Sequence, residues 1–176
     1  MSPRRELLLR AAAALFAHRG YHAVGIDDIG AAAGITGPGV YRHFASKQAL
    51  LETLVDRTMD RMLDSAHGAD RISDLVDLHV ELVVGERALV GVWVREQGAL
   101  GDQVRRSLRR RMRLYEGLWG AALAPERPEL TSAELSLTVG AALAMLNTTS
   151  LIESSLPPEQ RAAVLRRITL AALLPA

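Results

Sequence analysis

The chain has 176 residues, of which 49% are hydrophobic, 23% charged and 4% aromatic, and it contains no cysteine. This composition can bury one sizeable core and argues against disorder, while the missing thiols exclude disulfides, zinc fingers, iron–sulfur clusters and cysteine nucleophiles. Helix-forming Ala, Leu and Arg dominate over strand-forming residues. The expected fold class is therefore all-α, with about nine helices.

The net charge of +1 is unevenly distributed along the chain. Residues 1–47 carry six basic and three acidic side chains, whereas the rest carries 15 arginines and 17 carboxylates. A polyanion would meet the positive N-terminal end first, although an asymmetry of this size also arises by chance. Apolar runs are too short to cross a bilayer, so we expect a cytoplasmic protein without a membrane partner.

Hydrophobic periodicity predicts helices over residues 4–18, 26–33, 36–44 and 47–66, and then over about 71–84, 87–98, 102–123, 131–154 and 158–174. Gly20 and Gly34 are predicted to end the first two helices. Thr36 and Ser46 are candidate N-caps of the third and fourth.

The second and third predicted helices have the arrangement of a helix-turn-helix, because a tight turn that contains Gly34 joins two short helices. Val40 and Phe44 fall on one face of the third helix and are predicted to pack on Ile26, Ile29 and Leu15. The opposite side carries Thr36, Gly39, Arg42 and His43. A recognition helix enters the major groove of DNA with such a polar N-terminal part.

Four segments carry a more specific signal: LFAHRGY at 15–21, IDDI at 26–29, AGIT at 33–36 and YRHFASK at 41–47. In this order and spacing they resemble the TetR family of bacterial transcriptional regulators, over about residues 5–55. The resemblance implies a helix-turn-helix DNA-binding domain at residues 1–47 and a helical effector-binding and dimerisation domain at 48–176, with the fourth helix connecting them from about residue 46.

The resemblance also implies which residues contact double-stranded DNA. Thr36 and the segment from Gly37 to Gly39 would approach the bases, Tyr41 and His43 would hold phosphates, and Lys47 would clamp a phosphate from the start of the fourth helix. Hydroxyl, imidazole and ammonium groups are donors suited to phosphate oxygens. Base reading falls to Thr36 and Arg42, and Arg4 and Arg5 are interpreted as a flexible arm that reaches the backbone or the minor groove.

Two of these residues have simpler interpretations when taken singly: Tyr41 could cover the domain's own core, and Lys47 could be an ordinary solvated charge. Two positions depart from the family pattern. Gly25 stands where Ser or Thr commonly caps the second helix. Gly37 stands where Lys or Arg is common, so residue 37 can offer only its backbone to DNA.

The helix predicted over 131–154 is apolar on two sides, which indicates two packing partners. One side (Leu135, Val139, Ala142 and Leu146) would face the protomer's core. The other would meet a symmetry mate, with the last helix contributing to the same interface: Leu137, Ala141, Ala144, Leu151, Val164, Ile168 and Ala171. A homodimer of this kind would hold two recognition helices about 34 Å apart. The alternative is a single well-buried central helix.

Large or polar side chains on otherwise apolar helices are candidates for a small-molecule pocket, although each of them could equally be core: Met59, Met62, His79, Trp93, Arg95, Tyr115, Trp119 and Asn147. Six arginines between residues 105 and 113 must cover most of a helix circumference. Some are expected to pair with the acidic run Asp56, Asp60, Asp64, Asp70, Asp74, Asp77 and Glu81. Others could receive an anion.

The segment from Val92 to Glu96, followed by the arginine-rich helix, is similar to family members that control lipid or acyl-CoA degradation. The expected effector is therefore a fatty acyl-CoA or another lipid-derived anion. Five scattered histidines and the lack of a Glu-x-x-His pair argue against an enzyme, a metal site or a cofactor.

The function predicted from the sequence is a dimeric, ligand-responsive repressor of a palindromic operator. The alternative is a helical DNA-binding protein that a protein partner regulates without any small molecule. A solid core in residues 57–176 would favour the alternative, and a cavity there would favour ligand sensing.

Overall fold

A computed structural model of the chain describes residues 2–174. Met1 of the predicted DNA-binding domain and residues 175–176 of the predicted effector-binding domain lie outside the described residues. This described part is all-α, as predicted, and has no β-strand. Its nine helices are α1 (Pro3–Arg19), α2 (Ile26–Ala32), α3 (Gly37–Tyr41), α4 (Lys47–Ala66), α5 (Ile72–Gly85), α6 (Arg87–Arg95), α7 (Asp102–Leu123), α8 (Ser132–Thr149) and α9 (Pro158–Leu173).

Several helix ends differ from the prediction, and α3 stops at Tyr41 rather than at residue 44. Helix α1 begins before residue 4, because Ser2 caps it and Pro3 occupies its first turn. Helix α6 stops at Arg95, and a single 3₁₀ turn over residues 97–99 follows. Helix α8 ends at Thr149 rather than near residue 154. The apolar residues Leu151 and Ile152 continued the helical pattern in sequence but lie in a turn.

The first core lies where α1, α2 and α3 pack against the N-terminal half of α4. Leu8, Phe16, Ile29 and Val40 are almost fully buried there, and Phe44 is 3% exposed. The predicted packing of the apolar side of α3 is therefore confirmed. Helices α1 and α2 and the start of α4 thus support α3, and the opposite side of α3 faces outward.

The second core fills the space between α5, α7, α8 and α9, with Trp119 and Leu146 inaccessible at its centre. Helix α4 takes part in both cores: Leu50 to Met59 pack in the first, and Met62 and Ala66 in the second. A displacement of the second core would therefore reach the first through one continuous helix. No helix within residues 2–174 is long and apolar enough to cross a bilayer.

Candidate nucleic-acid interface and regulatory cavity

The turn between α2 and α3 depends on two glycines. Gly34 has a φ of +70°, a left-handed conformation that favours glycine. Gly30 is buried in α2, and its carbonyl accepts the Ile35 N–H at 2.9 Å. A Cβ atom on Gly30 would lie 2.9 Å from the Ile35 carbonyl oxygen and 3.1 Å from the Thr36 carbonyl carbon. These backbone contacts set the angle between α2 and α3.

The polar side of α3 faces solvent. Tyr41 is 57% exposed, which contradicts the interpretation of Tyr41 as cover for the domain's own core. Thr36 and Arg42 are exposed as well, and His43 is half-buried. Thr36 occupies the N-cap position, but its hydroxyl makes no capping hydrogen bond. Within residues 2–174, no hydrogen bond or ion pair engages the side chains of these four residues.

Gly37 was predicted to approach the bases with its backbone, and this stays a prediction. Gly37 is buried, and a Cβ atom there would lie 1.9 Å from Oδ1 of Asp27 on α2. The missing side chain therefore makes room for Asp27 at the junction of the two helices. Gly39 differs, because a Cβ atom there would meet Ile35 at an ordinary distance of 3.4 Å.

The interpretation of Arg4 and Arg5 as a flexible arm is wrong, because both residues lie inside α1. The Arg5 guanidinium donates to the His43 carbonyl oxygen at 2.5 Å and lies 4.1 Å from the centre of the Phe44 ring. Arg5 therefore holds the segment that follows α3. Arg4 is exposed on the first turn of α1. The signal for this earlier start was the Ser2-Pro3 pair, a common N-cap and first-turn combination.

Lys47 is not an ordinary solvated charge. Its ammonium donates to the carbonyl oxygens of Tyr21 at 3.0 Å and Val24 at 2.9 Å, and it lies 4.3 Å from the centre of the Tyr21 ring. It thus ties the start of α4 to the loop between α1 and α2. The predicted phosphate contact of Lys47 stays a prediction, with one ammonium N–H left for it.

The weak cap at Gly25 is compensated by its neighbours. The Gly25 N–H donates to Oδ2 of Asp28 at 2.8 Å, and Arg19 lies 3.3 Å from the other carboxylate oxygen. The backbone hydrogen bond and the Arg19 charge hold the pKa of Asp28 below its ordinary value. Helix α2 therefore begins without a capping hydroxyl.

The predicted dimer face lies on the surface of α8 and α9. Leu137 is 74% exposed, an unusual environment for a leucine, and Ala141, Ala144, Ile168 and Ala171 are exposed with it. Val164 is half-buried. Leu151 is half-buried too, but it lies beyond the end of α8 and beside Gly91 of α6, so its predicted place on the helix face is wrong. The core-facing prediction holds for Val139, Ala142 and Leu146, which are buried, while Leu135 is half-buried.

A cavity of about 280 Å³ lies between α6, α7 and α8. Its wall combines apolar and polar side chains: Trp93, Gln97, Leu100, Arg105, Leu108, Arg109, Met112, Glu116, Gly140, Leu143, Ala144 and Asn147. We call it the regulatory cavity. Of the eight predicted pocket residues, only Trp93 and Asn147 line it.

The other six predicted pocket residues lie elsewhere. Met59, Met62, His79, Tyr115 and Trp119 are at most 2% exposed and fill the cores. Arg95 is exposed, lines a different recess and donates to the Ala17 carbonyl oxygen at 3.2 Å. The reason is that α7 turns Tyr115 and Trp119 toward α5, whereas Arg105, Arg109 and Met112 of the same helix line the cavity.

A buried polar chain lies directly behind the regulatory cavity. His79 of α5 is 3.0 Å from the Tyr115 hydroxyl through Nδ1 and 3.1 Å from Oδ1 of Asn147 through Nε2. Because an amide oxygen only accepts, Nε2 carries the proton and Nδ1 accepts from the hydroxyl. Burial lowers the pKa of His79 to about 4 and raises that of Tyr115 to about 12, so both side chains are neutral.

The arginines of α7 divide into paired and unpaired groups. Arg111 pairs with Asp56 and, at 2.7 Å, with Asp60, so the expected pairing with the acidic run is confirmed for two carboxylates. Arg105 pairs with Asp102 near the mouth of the cavity. Arg109 forms no ion pair with any other residue between 2 and 174. It is therefore available to an anion at the cavity.

The C-terminal end of α6 connects the cavity to α1. Trp93 and Gln97 line the cavity, and between them Glu96 accepts the Tyr21 N–H at 3.0 Å through Oε1. Arg95, from the same turn, donates to the Ala17 carbonyl oxygen. The role of Glu96 has no local signal in the sequence, because its contact with Tyr21 joins residues 75 positions apart.

Known proteins resemble this chain most clearly in its N-terminal part. Residues 8–54 match a family model described as bacterial regulatory proteins, tetR family. The transcriptional activator FasR of Mycolicibacterium smegmatis is 41% identical over 39% of this chain and 31% of its own length. The transcriptional repressor KstR2 of Mycobacterium tuberculosis is 31% identical over 60% of this chain and 56% of its own length. The chain thus spans about a third to a little over half of these curated relatives.

The fold extends the likeness over nearly the whole chain. A solved structure of AibR in complex with isovaleryl coenzyme A and operator DNA aligns with a TM-score of 0.78, at 22% identity, over 94% of this chain and 97% of AibR. At this identity the likeness concerns the fold alone. Because the matched family consists of regulators rather than enzymes, the expectation that the chain is not an enzyme is confirmed at the level of the family. The helix-turn-helix of this chain thus lies within the segment, residues 8–54, that matches the tetR family of bacterial regulatory proteins.

Proposed function

We propose that this chain is a dimeric, ligand-responsive transcriptional repressor that binds a palindromic operator and is released from it by a small-molecule effector. Residues 1–47 form the DNA-binding domain in this proposal, and residues 48–176 form the effector-binding and dimerisation domain. The protein acts in the cytoplasm, where its DNA target lies. The names of KstR2 and AibR support the repressor and effector parts, while FasR is named as an activator.

The observation that carries the proposal is the outward side of α3. Val40 and Phe44 anchor the helix in the first core, and Thr36, Tyr41 and Arg42 on its other side are exposed and uncommitted within residues 2–174. Hydroxyl and guanidinium groups at such a tip can donate to phosphates and base edges. In this proposal Tyr41 and His43 hold phosphates, and Thr36 and Arg42 read bases.

The exposed apolar face of α8 and α9 supports the dimer in this proposal. Leu137 and Ile168 would lose their contact with water when a second copy packs against them, which favours association. A twofold pair would carry two α3 tips to successive major grooves, about 34 Å apart. This geometry requires a palindromic operator.

The effector in this proposal binds the regulatory cavity and acts through the end of α6. A ligand that displaces Trp93 or Gln97 would strain the bond between Glu96 and the Tyr21 N–H, at the entrance to the helix-turn-helix. The mixed cavity wall, with Arg109 free of any ion pair in the described part, suits an anion such as an acyl-CoA or another lipid-derived acid. The presence of a cavity within residues 57–176 favours this function over regulation by a protein partner.

Selection of bound fragments from a random DNA pool tests the proposal. The expected product is a palindrome whose half-sites lie about 10 bp apart, centre to centre, or a multiple of that distance. Tyr41→Phe removes one hydroxyl and should weaken all selected sequences alike, whereas Thr36→Val should change the preference among them. Absence of enrichment would refute DNA binding, and enrichment of single half-sites would refute the dimer.

Glu96 variants test the coupling. Glu96→Gln keeps an oxygen that accepts the Tyr21 N–H, whereas Glu96→Ala removes it. Both variants should bind the selected DNA without effector, and only Glu96→Ala should fail to release it when effector is added. Equal release by the two variants would show that the signal travels by another route.

A further inference from the structure

Asn147 lies at the boundary between the regulatory cavity and the second core. The residue is only 6% exposed, and it lines the cavity. Its amide oxygen accepts from His79, but its amide nitrogen has no hydrogen-bond partner among the described residues. Among the described residues, the polar side-chain atoms that are both inaccessible and without a partner are Nε of Arg111, Nε1 of Trp119 and Oγ1 of Thr169. The amide nitrogen of Asn147 therefore keeps some accessible surface. Its N–H groups therefore have the cavity as their outlet.

The orientation of this amide is determined by the residues behind it. The Asn147 amide oxygen faces Nε2 of His79, so Nε2 carries the proton and Nδ1 accepts from the Tyr115 hydroxyl. Because the oxygen is bonded to His79, the amide nitrogen turns away from His79. Three polar side chains from three helices thus lie in a core where apolar side chains would cost less desolvation. A purely structural role leaves that cost unexplained, whereas a fixed donor facing a cavity accounts for it.

The charges on the cavity wall and the volume of the cavity limit the class of ligand that fits it. Arg105 and Arg109 line the cavity one helical turn apart, against the single carboxylate of Glu116, and Arg105 already pairs with the exposed Asp102. Apolar contact comes from Trp93, Leu108, Met112 and Leu143 among others. The volume of about 280 Å³ lies at the lower end of the range for small-molecule sites. A compact apolar group with one acceptor-rich end fits this wall.

We infer that the regulatory cavity selects a short acyl group, either as a free carboxylate or as a thioester, whose carbonyl oxygen accepts from the Asn147 amide, while Arg109 meets the negative charge of the free acid. His79 and Tyr115 are positioning residues, which hold the amide nitrogen toward the ligand. This inference rests on the proposed function, because it names the ligand class of the cavity that the proposal uses.

Binding of four probes that share one chain length tests the inference. Hexanoate and hexanoyl-CoA present the acyl oxygen as acid and thioester, whereas hexylamine and 1-hexanol lack a carbonyl group. Trp93 lines the cavity and reports binding by its fluorescence, with Trp93→Phe as the control that should lose the signal. We expect hexanoate or hexanoyl-CoA to bind at least about tenfold more tightly than hexylamine and hexanol, the size of one hydrogen bond to a charged group.

Variants of the polar chain separate positioning from folding. Asn147→Leu should weaken the preferred acyl probe about tenfold to a hundredfold. His79→Gln should reduce the ratio between the hexanoate and hexylamine affinities, because the amide is then free to turn its oxygen toward the cavity. Thermal unfolding and affinity for the selected DNA without ligand show that each variant is folded.

Three outcomes would overturn the inference: equal binding of hexylamine and of the tighter-binding acyl probe, unchanged acyl affinity in folded Asn147→Leu, or no binding of either acyl probe by protein that binds DNA. Tighter binding of hexanoyl-CoA than of hexanoate would identify the thioester as the source, and the reverse order would identify the free acid. Loss of DNA binding by the unliganded wild-type chain would instead refute the proposed function.

Discussion

Replacing Lys47 by methionine tests whether its ammonium holds the helix-turn-helix together. Methionine keeps an unbranched apolar side chain of similar reach and removes the two hydrogen bonds to the Tyr21 and Val24 carbonyl oxygens. Two such bonds at about 1 kcal/mol net each, and a cation–π contact of ~0.5 kcal/mol at this half-buried position, amount to about 2–3 kcal/mol of the free energy of unfolding.

Urea denaturation followed by circular dichroism measures this loss. With a slope of about 2 kcal/mol per molar urea, the midpoint should fall by roughly 1–1.5 M without a change of slope. Arg42→Met is the matched control, because Arg42 is an exposed cation near the other end of the segment 41–47. The urea midpoint of this variant should not move, while its DNA affinity should fall. An unchanged midpoint in Lys47→Met would refute the holding role of the ammonium.

The phosphate contact of Lys47 is separable from this holding role by salt dependence. If the remaining N–H contacts one phosphate, the slope of log affinity against log salt should become shallower by about 0.9 in Lys47→Met. A variant that loses stability but keeps the wild-type salt slope would confine Lys47 to the support of the loop.

Three further perturbations probe other parts of the structure. Arg5→Gln should lower the free energy of unfolding by about 1–2 kcal/mol through loss of its carbonyl contact, whereas Arg4→Gln should not, as chemical denaturation of both would establish. Gly30→Ala should reduce affinity for the selected DNA by forcing α3 away from α2, while Gly39→Ala should keep the wild-type fold. Equal DNA affinities of Gly30→Ala and the wild-type chain would argue against the close contact of Gly30 with the Ile35 and Thr36 backbone. The free energy of unfolding should decrease by about 3 kcal/mol as the pH falls from about 6.5 to about 4, because unfolded His79 takes up a proton that the folded side chain refuses until its pKa of about 4. His79→Gln should remove that part of the pH slope in urea titrations, and a slope identical to wild type would rule out this source.

Features with a local cause were predictable from the sequence. The bounds of α4 and α7 match the prediction, because Ser46 caps α4 and glycines precede α7. The burial of Val40 and Phe44 and the exposure of the opposite side of α3 follow from helical spacing alone. The exposed face of α8 could be predicted because small apolar residues recur on one side of this helix.

Features that depend on tertiary packing were not predictable. Composition could nominate Tyr115 and Trp119 for a pocket, but only the rotation of α7 decides that they face the core and that Arg109 faces the cavity. The contact of Glu96 with Tyr21 joins residues far apart in sequence. Arg5 has the charge of a DNA-contacting residue, but its distance to the His43 carbonyl oxygen gives it a different role.

The central claim is that the tip of α3 reaches the edge of a DNA duplex, twice per dimer. Because the chain has no cysteine, Thr36→Cys offers a unique thiol for an iron–EDTA group that cleaves nearby DNA. On the selected operator, the account predicts two cleavage centres in the major groove, about 10 bp or a multiple of it apart. It predicts none from the same group at Ser154→Cys, an exposed position in the loop between α8 and α9. Absence of cleavage from residue 36, or equal cleavage from both positions, would contradict it.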